Sequence, residues 1–80
     1  MNYENEIREI ITLNLTSINF NNIDKTVILQ EIGVNSLLFV RIIVDIEKKF
    51  NIILPAEILA MSQNCTISTL CEMLDKVINE

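Results

Sequence analysis

Gly33, Asn35 and Ser36 are the residues whose types and spacing point most directly to chemistry. They place a serine hydroxyl just behind the chain's single glycine and in front of a strongly patterned apolar run. That run has Phe39, Ile42, Ile43, Ile46 and Phe50 at i, i+3, i+4, i+7 and i+11, the stripe of one buried helical face. Ser36 therefore opens a helix. A hydroxyl there lies beside backbone N–H groups that have no partner within the helix and at the positive end of its dipole. Both favour a phosphate ester on the serine oxygen. The expected chemistry is attachment of a group to Ser36 rather than turnover; the competing reading gives Ser36 only a capping role.

The elements that must hold this serine read as helices. The 3.6-residue period predicts a first helix over about Tyr3 to Leu15, with Ile7, Ile10, Ile11 and Leu15 turned inward. From Thr16 to Asn35 a long loop is expected, polar at first and then pinned by Val27, Ile28, Leu29 and Ile32. The second helix spans about Ser36 to Phe50, capped by Asn35 or Ser36. Pro55 disfavours helix at Leu54 and suits the start of a short third helix, about Ala56 to Met61. Thr66 can cap a last helix, about Ile67 to Ile78, whose inner face holds Ile67, Leu70, Cys71, Leu74, Val77 and Ile78. One glycine, one proline and few alternating β-branched runs argue against a sandwich or barrel. The expectation is an all-α, four-helix bundle with a long first loop and a short third helix, residues 1–80 forming one domain.

Composition removes several classes of function. A formal charge of −5 with scattered Lys and Arg argues against nucleic acid as the partner and for another protein. No apolar segment approaches the roughly 20 residues a membrane helix needs. The acidic N-terminal residues lead into no basic-then-apolar stretch, so neither a secretory signal nor a transit peptide is expected, and the chain is expected to be cytoplasmic and monomeric. Cys65 and Cys71 lack histidine company, which argues against a structural zinc site. Cys71 falls on the inner face of the last helix, and the sequence gives Cys65 no role. Without histidine, a glycine-rich phosphate loop or a nucleophile with an evident base, the chain is not expected to be an enzyme.

Taken in order, the pattern is Gly33-x-Asn35-Ser36-Leu37, an apolar helix ending Ile46-Glu47-Lys48-Lys49-Phe50, then Asn51-Ile52-Ile53-Leu54-Pro55-Ala56-Glu57. This resembles the acyl carrier and peptidyl carrier protein family, in which a G-x-D-S-L motif opens helix II and an L-E-x-x-F-x-I-x-I-P-x-E pattern follows. The likeness covers nearly the whole chain. It implies that Ser36 receives 4′-phosphopantetheine from coenzyme A through a magnesium-dependent phosphopantetheinyl transferase. It also implies that the arm's thiol carries cargo as a thioester between cargo-loading and chain-processing enzymes. Tethering of this kind raises the effective concentration of cargo at each of them.

Two departures qualify the resemblance. Asn35 stands where the family usually has Asp, keeping an acceptor and capping ability but losing the charge that helps position the transferase's magnesium. The second concerns docking. A helical wheel leaves Leu37, Val40 and Val44 as an apolar stripe beside Arg41 and Lys48, either a docking surface together with Asn35 or a widening of the buried face. From Leu37 to Phe50 three bases outweigh two acids, giving a local charge of +1. Carriers of fatty acid synthesis resemble one another in an acidic helix II, so this helix points instead to nonribosomal peptide or polyketide assembly. A fatty acid synthesis carrier, or a carrier-like interaction module that is never modified, is the alternative.

Overall fold

A computed structural model describes residues 3–15 and 23–79. The helix α1 (Glu4–Asn14) begins with Glu4 and Glu6 in its first turn, where negative charge suits the dipole, and buries Ile7, Ile10 and Ile11. Arg8 is buried on the same element at 8% exposure, and its Nε donates to Glu4 Oε2 one turn back at 2.9 Å. A cation is tolerated at that depth because it is paired.

The helix α2 (Ser36–Phe50) buries Phe39, Ile42, Ile43 and Ile46 and ends on Lys48 and Lys49, which complement the negative end of the dipole. Asn51 stops it in the left-handed region, at φ 54°. Past that turn Leu54 is buried while Ile53 is 87% exposed. Pro55, in extended conformation, then leads into a 3₁₀ helix, Ala56–Met61, that buries Ile58. The helix α3 (Ile67–Ile78) starts at Thr66, whose Oγ1 accepts the Thr69 N–H at 3.0 Å, and it buries Ile67, Leu70 and Leu74.

These apolar faces form one core, with α1 lying against both α2 and α3. Tyr3 and Phe50 close one corner edge to face, their ring centroids 5.5 Å apart at 86°. Asn14 closes another by donating to Asp45 Oδ2 on α2 at 2.9 Å. Among the described residues the architecture is all-α, three α-helices and the Ala56–Met61 3₁₀ helix standing where four helices were expected, with no strand. No helix among them is long and apolar enough to cross a membrane.

Three details depart from the sequence reading. Cys71 is only half-buried, and Ile78, in the last turn, is exposed. The end of the first loop is folded rather than merely pinned: Leu29–Ile32 forms a 3₁₀ turn. Its cause is long-range, because the buried Leu29 donates its N–H to the Cys65 carbonyl at 2.9 Å. The Thr16–Asn22 part of that loop lies outside the described residues.

Candidate functional site

Three consecutive backbone devices hold Ser36. Gly33 ends the 3₁₀ turn at φ 111°, a conformation that side chains disfavour, and its N–H donates back to the Gln30 carbonyl at 3.3 Å. Val34 then buries its side chain and donates its N–H to the Leu29 carbonyl at 3.1 Å. Leu29 and Val34 thus fix the loop to the core on both sides of the reversal. Asn35 follows in extended conformation, its Oδ1 accepting the Leu38 N–H at 2.9 Å and its carbonyl the Phe39 N–H at 2.8 Å. That is a side-chain cap on α2.

The cap therefore falls to Asn35, and Ser36 is the first helical residue, exposed, with no side-chain hydrogen bond to a described residue. Its hydroxyl stands at the positive end of a 15-residue helix, next to N–H groups of the first turn that the helix itself cannot pair. A phosphodiester on this oxygen would meet favourable dipoles at a position exposed among the described residues, so Ser36 and its described surroundings fit such a group.

The remaining residues singled out from the sequence lie on one outer face of α2. Leu37, Val40 and Val44 are 69%, 42% and 39% exposed, and Arg41 and Lys48 are exposed as well. The stripe is therefore solvent-facing, not a widened core. Leu37, Arg41, Val44 and Lys48 follow one another at intervals of four, three and four, so they form a single ridge along the helix.

Beside the ridge lies a recess that the sequence did not reveal. It has a volume of about 110 Å³ and is lined by Val40, Val44, Glu47, Leu54, Pro55 and Leu59 among others. Its far wall is set by the turn after α2, where Glu47 Oε2 accepts the Leu54 N–H at 2.8 Å. A helical wheel locates Val40 and Val44, but which of Ile53 and Leu54 turns inward depends on that bond, which no local pattern announces.

Neither cysteine belongs to this face. Cys65 is fully buried, and burial pushes its thiol from 9.0 up to about 12; burial also raises that of the half-buried Cys71. No group of three or more His, Cys, Asp or Glu residues that could hold a metal ion occurs among the described residues.

A family model described as a phosphopantetheine attachment site matches residues 5–74. No curated protein and no solved structure matches the chain.

Proposed function

The chain belongs to the phosphopantetheine attachment site family, and from that premise we propose that Ser36 is the residue that bears the group. The family is defined by covalent 4′-phosphopantetheine, which makes this protein a phosphopantetheine carrier whose partners include a phosphopantetheinyl transferase and the enzymes that use the arm. When bound, the group supplies a thiol on a long flexible arm that holds cargo as a thioester. The chain's own contribution is a nucleophilic hydroxyl held at an exposed helix start; the base and the magnesium belong to the transferase.

The observation that carries the assignment is the division of labour between neighbours. Asn35 caps α2, so Ser36 has no structural duty there and its oxygen is left exposed. Intact mass after incubation with coenzyme A, magnesium and a broad-specificity transferase tests it. A gain of one phosphopantetheinyl group on the natural chain, with none on Ser36→Ala, is the expected result. An equal gain on Ser36→Ala moves the attachment elsewhere. No gain with several transferases favours an unmodified interaction module, a reading for which Asn35 in place of an acidic residue speaks.

Partner enzymes are proposed to dock on Asn35, Leu37, Val40, Arg41, Val44 and Lys48, which share the end and outer face of α2. The pathway proposed is nonribosomal peptide or polyketide assembly rather than fatty acid synthesis, because α2 offers no acidic field to a basic enzyme surface. Loading by an aminoacyl-adenylating or polyketide-type enzyme, read by mass on the modified chain, supports it. Exclusive loading by fatty acid synthesis enzymes rejects it.

A further inference from the structure

The charges of α2 are sorted by geometry, not only by count. Asp45 and Glu47 flank the outer ridge on opposite sides, each about 80° around the helix from Leu37. Each is tied down: Asp45 Oδ2 accepts from the Asn14 side-chain amide at 2.9 Å, and Glu47 Oε2 from the Leu54 N–H at 2.8 Å. Both are only partly exposed, whereas Arg41, Lys48 and Lys49 are exposed. The outward ridge thus alternates Leu37, Arg41, Val44, Lys48, apolar and basic in turn, on a chain whose formal charge is −5. Arg41 and Lys48 stand about 10 Å apart along the axis. The recess of about 110 Å³ lies along the Val40 and Val44 side of this ridge; Glu47 is its charged lining residue, and its Oε2 is engaged by the Leu54 N–H.

We propose that this face docks a partner protein that presents an apolar anchor side chain between carboxylates. The recess has room for one large aliphatic side chain, while Arg41 and Lys48 pair with acids on either side. This rests on the carrier reading and gives the recognition the opposite polarity to an acidic helix meeting a basic enzyme. The acidic remainder of the chain repels the same partner, so only the α2 face is attractive and the orientation is fixed.

The probes are two synthetic helical peptides of about 18 residues with one leucine face, edged by glutamate in one and by lysine in the other. Each is titrated into isotope-labelled chain, before and after treatment with coenzyme A and transferase. The glutamate peptide is expected to shift the amide resonances of Leu37, Val40, Arg41, Val44 and Lys48. It should bind at least about fivefold more tightly than the lysine peptide, and lose that margin in about 0.5 M salt. Arg41→Gln with Lys48→Gln should abolish the preference, and Val44→Asp the binding, with helical content unchanged by circular dichroism. Equal binding of the two peptides, tighter binding of the lysine peptide, or shifts confined to α1 and α3 overturn the proposal. Glutamate-peptide preference without any mass gain on Ser36 supports this surface and removes the carrier reading. Mass gain without preference does the reverse.

Discussion

Glu47 reaches over the turn that ends α2 and accepts the backbone N–H of Leu54 at 2.8 Å, while its own carbonyl accepts the N–H of Ile52 at 3.0 Å. One residue therefore fastens two points of the segment leading to the Ala56–Met61 helix. The side-chain bond holds the backbone at Leu54, whose side chain enters the core while Ile53 stays exposed.

Glu47→Ala should leave the Leu54 N–H without its partner at a largely buried position. The expected loss is about 1–2 kcal/mol, seen as a midpoint of thermal unfolding lower by roughly 4–15 °C. Faster proteolysis between Ile52 and Ala56 should accompany it. Unchanged melting would show that water replaces the carboxylate at no loss.

Asn35→Ala removes the cap on α2 and should cost about 1 kcal/mol. Asn35→Asp keeps the acceptor for the Leu38 N–H and adds a negative charge at the positive helix end, so it should stabilise by about 0.3–1 kcal/mol. Chemical denaturation of the three chains separates capping from charge: an Asn35→Ala chain as stable as the natural one would leave the cap without energetic weight.

Gly33→Ala tests the seat of Ser36. A Cβ there would lie 3.5 Å from Leu15 Cδ2, an ordinary contact, so lack of space is not the obstacle. The φ of 111° is, and the strain expected is about 1–3 kcal/mol. Slower phosphopantetheinylation of Ser36 should follow, because the same turn aims Val34 into the core. Native stability with native loading would show that the turn accommodates a side chain freely.

Cys65 gives a pH signature. Folding raises its thiol from 9.0 to about 12 by burial, so on raising the pH the unfolded chain loses the proton first. The stability linked to this group is complete below about pH 9 and is lost as the pH climbs from about 9 towards about 12. Denaturation curves of the natural chain and Cys65→Ala should therefore converge over that interval. A constant separation would mean that the thiol ionises equally in both states.

The helices were legible because their signals are local. The period of Phe39, Ile42, Ile43 and Ile46, the caps at Asn35 and Thr66, and the proline before Ala56 each act within a few residues. Ser36 and the exposed stripe beside it follow from the same wheel. What escaped the sequence depends on how particular side chains and carbonyls meet in the folded chain. Arg8, which the sequence patterns do not single out, is buried and paired with Glu4 one turn back. Cys65 had no visible role, yet its carbonyl holds Leu29 and so the approach to Gly33. The recess beside Val40 is walled in part by Leu54, whose N–H is held by Glu47.

Two main-chain bonds join the stretch before Ser36 to the entrance of α3: Leu29 N–H to the Cys65 carbonyl at 2.9 Å, and Ser68 N–H to the Lys25 carbonyl at 3.0 Å. Neither bond uses a side-chain atom. The two bonds therefore do not depend on which side chains stand at 25 and 68, proline at 68 excepted because it has no N–H to donate. A single insertion between 25 and 29 is different, since it would move one bond out of register with the other. Spacing, more than the side chains at 25 and 68, is what seats the serine.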